Sequence, residues 1–176
     1  LGETFMFKKL PEIVDYIRSK NNGIIISVST NAHLPISVKM AEDLADKIDT
    51  IQVSIDGIGK VYEKVRLKSD YSFFYENMLQ TIEACRGKRA TVMFNFVAIK
   101  ENYHDMADVV ELAGKLGVKY VNITPFNVAS VTIHDKTYYD FFQTAEFKSE
   151  LKRAKAMSKN YPEIEFTTWD IEVPKG

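Results

Sequence analysis

The side chains able to do chemistry recur at strand-like intervals. Ser27, Ser29 and Asn31 form one set, Gln52, Ser54 and Asp56 a second, Asn122 and Thr124 a third, and Asn95 stands between them. Side chains alternate faces along a strand, so the members of each set share one side. Hydroxyls, amides and a carboxylate gathered on one side suit a polar ligand, because each costs about 1 to 3 kcal/mol if buried without a partner. The other reading is a satisfied network in which these groups bond to one another. His33, just past Asn31, could carry protons or simply be solvated, and Lys100 could hold an anion or be a solvated strand end. Asp56 precedes Gly57, so it is either a ligand or the cap of an ordinary turn.

Other residue types exclude more than they suggest. The one cysteine, Cys85, cannot alone build a zinc or iron–sulphur site, and its helical spacing from Ile82 places it on a buried stripe. His104 and His134 read as surface residues, and Tyr138, Tyr139, Phe141 and Phe142 as a packing cluster. Lys and Arg number 23 against 24 Asp and Glu, for a formal net charge of -1, so no field draws nucleic acid or an acidic membrane. No apolar run approaches the roughly 18 residues of a membrane span, and the expected location is the cytoplasm. The chain starts at Leu1 and is expected to be a piece of a longer protein.

These residues need strands to hold them and helices to cover the strands. Leu10, Ile13, Val14 and Ile17 recur on one helical face, ending at Asn21-Asn22-Gly23, and Ile24 to Val28 follows as a β-branched strand. Ala41, Leu44 and Ile48 mark a second helix, and Ile51 to Ile55 a second strand. Tyr75, Met78, Leu79 and Ile82 mark a third helix before a strand from Val92 to Ile99. Met106, Val109, Val110 and Ala113 mark a fourth, closed by Gly117, before Val118 to Thr124 and the stop at Pro125. A helix through Phe147, Leu151 and Ala154 and a last strand from Ile164 to Trp169 complete the chain. Strands alternating with helices and lacking hairpin signals imply an α/β fold with a parallel sheet, either open and doubly wound or a (β/α) barrel, with its chemistry at the C-terminal strand ends.

Taken in order, those strand ends resemble the core of radical S-adenosylmethionine (radical SAM) enzymes. Leu1-Gly2-Glu3-Thr4 is similar to the family's Gly-Gly-Glu-Pro stretch, whose backbone and acid bind the cofactor's amino group; Leu1 and Thr4 depart from it. Ser-Thr-Asn-Ala at 29 to 32 is similar to a Thr-Asn-Gly segment near the substrate. Val-Ser-Ile-Asp-Gly at 53 to 57 is the closest local match. The resemblance implies a truncated, TIM-barrel-like partial (β/α) barrel, strands two to six lying in residues 1–127 and a C-terminal extension in 128–176. It implies that Gly2, Glu3, Thr4, Ser54, Asp56, Arg66, Thr124 and Asn127 face S-adenosylmethionine, with Arg66 on its carboxylate, where a planar guanidinium suits. Thr30, Asn31, His33 and Lys100 fall on the substrate side.

In that family a three-cysteine loop holds a 4Fe-4S cluster, and the cofactor is cleaved to a deoxyadenosyl radical that abstracts hydrogen from a substrate. No such motif exists in these 176 residues. The expectation is that the first strand and its cysteine loop lie upstream of Leu1, that the chain alone is inactive, and that metal ligands are absent from it. In some relatives a domain of auxiliary clusters follows the barrel, often in enzymes acting on peptides. Two other classes stay open: a cluster-free barrel lyase or isomerase acting through Lys100, Asp56 or His33, and a non-catalytic binding domain of the same fold.

Overall fold

A computed structural model describes residues 3–126 and 136–168. Five parallel strands, β1 (Ser27–Thr30), β2 (Thr50–Ser54), β3 (Thr91–Ala98), β4 (Tyr120–Pro125) and β5 (Glu165–Thr168), lie side by side in chain order. Sequential order decides between the two expected architectures. A doubly wound sheet reverses direction at a switch point, whereas right-handed crossovers that always step the same way put every helix on one face and curl the sheet towards a barrel. The fold is a partial (β/α) barrel.

The helices are α1 (Leu10–Lys20), α2 (Ile36–Leu44), α3 (Lys60–Val65), α4 (Tyr71–Cys85), α5 (Met106–Leu116), α6 (Lys136–Gln143) and α7 (Ala145–Ser158). Their ends are coded locally. Pro11 sits in the first turn of α1; the Asp70 carboxylate accepts from the Ser72 and Phe73 N–H groups at the start of α4; Gly117 closes α5 in the left-handed conformation. At the start of α7 the Thr144 hydroxyl accepts from the Phe147 N–H. The helices cover the sheet face carrying Val28, Ile51, Val53, Val92, Phe94, Phe96, Val121 and Ile123, all buried. Emptying one such aromatic site, as in Phe96→Ala, falls in the class that costs about 3 to 5 kcal/mol.

Three sequence expectations are corrected. The first strand begins at Ser27, not Ile24: Ile24 and Ile25 are exposed, the latter 82%. The chain joins the sheet only where the Ile26 carbonyl takes the Asp49 and Thr50 N–H groups and the Ile26 N–H meets the Asp49 carboxylate. On α4 the buried stripe is Phe74, Asn77, Met78, Thr81 and Cys85, one position off the expected Tyr75, Leu79 and Ile82, which are half-buried. Both stripes repeat at helical spacing, and the aromatic stack of Phe74 on Tyr62 of α3, centroids 4.4 Å apart, selects between them. Pro125 does not stop β4 but is its last residue, opposite Ala98. Among the described residues pairing with β5 runs to Ile123, and on the other side the Phe126 N–H reaches the Ala98 carbonyl, so the proline leaves no gap in the ladder to β3. Trp169, expected in the last strand, lies outside the described residues.

Candidate functional site

The sheet face that the described helices leave open carries the polar sets. Asn95 pairs in register with Ser54 on one side and Asn122 on the other, and Asn122 with Thr167, so one row of polar side chains crosses four strands. Within it the Asn122 amide donates to Asn95 Oδ1 at 2.7 Å and the Thr167 hydroxyl to Asn122 Oδ1 at 2.9 Å. Nearer the N-terminal ends, Ser29 donates to Gln52 Oε1 and Gln52 Nε2 to Ser27, both at 3.2 Å. The two sequence readings therefore both describe this face. The groups bond to one another, yet Ser27 and Ser29 remain exposed and Gln52, Ser54, Asn95 and Asn122 half-buried, open to a ligand.

At the C-terminal ends, side chains fold loops back onto the strands. Glu3 uses both oxygens: Oε1 accepts from the Phe5 N–H at 3.2 Å, capping the 3-10 turn Thr4–Met6, and Oε2 from the Asn31 N–H at 2.8 Å. The stretch before α1 is thereby fastened to the end of β1. Thr30 points to the helix side, 2% exposed, where its hydroxyl accepts from the Ala32 N–H and lies 3.4 Å from Ser37. Asn31 Oδ1 takes the His33 N–H at 2.9 Å. The His33 ring meets the Phe73 ring edge-on, centroids 5.9 Å apart.

Beyond β2, Asp56 and Arg66 form the central pair. Arg66, at the C-terminal end of α3, places Nε at 2.7 Å and Nη2 at 2.6 Å from the same oxygen, Asp56 Oδ2. Glu63, one helical turn before Arg66, accepts from the Tyr71 N–H. Gly57 allows this turn: its φ is 140°, and a Cβ there would stand 2.8 Å from a Val61 methyl and 3.0 Å from the Tyr62 nitrogen. Thr124 is half-buried near the end of β4, opposite Val97. Lys100 follows β3 with its ammonium 6.0 Å from the Phe141 ring centroid. Gly2, Asn127 and His134 lie outside the described residues.

Two residues that sequence reasoning passed over hold this end together. Asn102 is fully buried; its amide donates to the Asp56 and Val97 carbonyls, and its Oδ1 accepts from the Ile99 N–H at 2.7 Å. Asp105 accepts the Ile58 N–H at 2.8 Å. Burial pushes the Asp105 carboxyl upward, against the lowering effect of that N–H. An Asn and an Asp three residues apart before a helix were the available signal, but it reads as helix capping.

Metal chemistry finds no ligand set among the described residues. Cys85 is buried in α4, and burial pushes its thiol up to about 11, so it stays protonated and is a poor ligand. No helix among them is long and apolar enough to cross a membrane. His104 is largely exposed, packed edge-on against Tyr103.

The sequence matches the model of the radical SAM superfamily over residues 1–113. No curated protein sequence matches it. Among solved structures it is similar to SuiB from Streptococcus suis, with a TM-score of 0.68 and 16% identity, over 96% of this chain and 38% of that one. SuiB bound to S-adenosylmethionine gives a TM-score of 0.67 at the same identity and coverage. A domain of pyruvate-formate lyase-activating enzyme from Bacteroides vulgatus gives 0.58 and 11%, over 97% of this chain and 96% of that domain. At such identities the likeness shows the fold, and the chain spans well under half the length of SuiB. The family match, covering more than half of the sequence and both the Gly2-Glu3 and Ser54-Ile55-Asp56-Gly57 segments, settles descent: the chain belongs to the radical SAM superfamily.

Proposed function

We propose that this chain is the cofactor-holding part of a radical SAM enzyme of the iron–sulphur oxidoreductase type. The observation that carries the reading is the end of β2, where Ser54 faces the open polar side and Asp56, two residues on, folds Arg66 back onto this end of the strand. Ser54 would bond the cofactor and the rest of the Arg66 fork its carboxylate, Asp56 fixing the plane of the guanidinium. Glu3, with Gly2 and Thr4, would take the amine. Each Glu3 oxygen has accepted one backbone N–H and keeps a second lone pair. Thr124 and Asn127 would line the adenine pocket.

The cluster and cofactor, when both are bound, supply reductive cleavage to a deoxyadenosyl radical and hydrogen abstraction from substrate. The residues present do not fit the cluster, since one buried, protonated thiol replaces the three thiolates it needs. Its ligands are proposed to lie upstream of Leu1, and this chain's own part is binding and orientation.

Titration of the protein with S-adenosylmethionine, followed by nuclear magnetic resonance, tests the reading. Weak binding in the millimolar range is expected, because the methionine end lacks its metal, with a further loss of about tenfold in Ser54→Ala and in Arg66→Gln. Micromolar affinity, or binding indifferent to both substitutions, overturns it.

A further inference from the structure

The polar row on the open sheet face continues past the end given to the cofactor. Ser54 is its β2 member; Asn95, Asn122 and Thr167 carry it across β3, β4 and β5. Hydrogen bonds within this part run one way, from the Thr167 hydroxyl to Asn122 Oδ1 and from Asn122 Nδ2 to Asn95 Oδ1. The chain of donors ends at Asn95, whose Nδ2 donates to nothing among the described residues, yet is not among their fully buried unpaired atoms and so meets solvent. Asn95 therefore keeps both of its N–H groups for a ligand and Asn122 one of its two, beside a spare lone pair on Asn95 Oδ1.

Charge and shape narrow the ligand. Within the described strands the only charged side chain on this face is Glu165, exposed on the outermost strand, so a charged group laid on the row would lose water without gaining a counter-charge. An excess of N–H donors calls for carbonyl oxygens, and the planar donor-acceptor pair of an Asn side chain matches that of another amide. Apolar side chains flank the row on the same face, Val97 on one side and Met93 and Tyr120 on the other, Tyr120 being 37% exposed. Strands lie about 4.8 Å apart, so Asn95 to Thr167 spans about 10 Å, the length of three residues of extended chain at about 3.3 Å each. We propose that Asn95, Asn122 and Thr167 form a substrate subsite for an uncharged stretch of extended peptide lying across β3 to β5, its backbone amides on the row and its side chains on the apolar flanks. The assignment to substrate rests on the reading that puts the cofactor at Ser54 and Arg66, one strand away.

The test follows the side-chain NH2 signals of Asn95 and Asn122 by nuclear magnetic resonance while the protein is titrated with N-acetyl-trialanine amide, with and without S-adenosylmethionine. Expected are saturable shifts of both signals with a dissociation constant of about 1 to 10 mM, little changed by S-adenosylmethionine. Asn95→Asp should weaken binding about tenfold and Thr167→Val about threefold. Both variants keep the fold, since an aspartate oxygen at 95 still accepts from Asn122 and Thr167 is exposed. Absence of any shift up to about 50 mM peptide overturns the proposal, as does equal or tighter binding of the polyol erythritol, which would make the row a reader of hydroxyls. Displacement of the peptide by S-adenosylmethionine also overturns it, by making the row the cofactor's own. If S-adenosylmethionine does not bind, the cofactor reading fails alone, and the peptide titration still decides whether the row takes amides.

Discussion

Strand β2 runs between two aspartates that are each held by arginine, Asp49 just before it and Asp56 just beyond it, and the two pairs are built differently. Asp49, at the N-terminal end of the sheet, is surrounded. Arg18 Nη2 lies at 2.7 Å, Arg89 Nε at 2.9 Å and Nη2 at 2.8 Å, and the Ile26 N–H at 2.8 Å. The rest of the Arg18 fork bonds to the carbonyls of Lys47, Asn22 and Ile24. Three segments are tied at one carboxylate, with both of its oxygens used. Asp56, at the C-terminal end, meets Arg66 through one oxygen only, and Arg66 is itself a third exposed. In a parallel α/β sheet the N-terminal end serves stability and the C-terminal end function, and hydrogen-bond saturation draws the same line here.

The largest effect comes from breaking the saturated end. Asp49→Asn keeps the shape but turns an NH2 group towards one of the two guanidinium groups, Arg89 at Oδ1 or Arg18 with the Ile26 N–H at Oδ2, leaving donors unpaired. It is expected to cost about 2 to 4 kcal/mol in chemical denaturation, and a loss below about 0.5 kcal/mol contradicts the contrast.

Next comes Asn102→Ala, which attacks the open end through its support rather than its surface. Three bonds vanish at a fully buried site and the Asp56 and Val97 carbonyls lose a donor, for an expected loss of about 2 to 3 kcal/mol. Under the proposed function it also loosens the Ser54 to Gly57 turn, so S-adenosylmethionine affinity should fall with stability. A variant equally stable to wild type would mean that the turn holds itself.

Acid sharpens the comparison further. Burial is the largest single influence on the Asp49 carboxyl and pushes it up, but the Ile26 N–H, Arg18 and Arg89 together outweigh it and bring the pKa to about 2. A carboxyl depressed on folding stabilises fully above its unfolded pKa, near 3.8, and loses that contribution as pH falls towards about 2. The expected loss is on the order of 1 to 2 kcal/mol after solvent screening, and it should be missing from Asp49→Asn. Asp105, at the other end, works with opposite sign. Its raised carboxyl costs stability once it ionises, so protonation there favours the fold. Acid therefore acts against the N-terminal end of the sheet first, visible as early hydrogen exchange at Ile26 and Thr91, whose amides bond to Asp49.

The same contrast explains what was legible in the sequence. The strand-helix alternation, the polar side of each strand and the segment around Ser54 follow from local period and residue type, and the structure holds them where the pattern puts them. Sequential strand order does not follow, because an open sheet and a barrel share one pattern. Asn102 and Asp105 read only as helix caps, since the partners that tie them to the loop after β2, Asp56 and Ile58, lie 46 and 47 residues away, where local spacing says nothing. The Arg66–Asp56 pair was not legible either, because it depends on α3 ending at Val65, which frees the guanidinium to turn back on Asp56. Ile24 and Ile25 mislead for a related reason: β-branched residues favour extended backbone, and only the ladder beginning at Ser27 makes it a strand.

The smallest effect belongs to the same isosteric change at the open end. Asp56→Asn leaves a carbonyl oxygen where Asp56 Oδ2 now takes both Arg66 donors, and the guanidinium keeps its access to water. Asp56 is itself buried, but the variant keeps an acceptor for both Arg66 donors, so the expected loss is about 1 kcal/mol, less than for Asp49→Asn under the same denaturant. The two variants differ in chemistry by nothing except which end of β2 they occupy. Equal losses would show that the Asp56–Arg66 pair is as structural as the Asp49 cluster. Arg66 would then have no donor to spare for a carboxylate ligand, and the cofactor reading of this end would lose its main support.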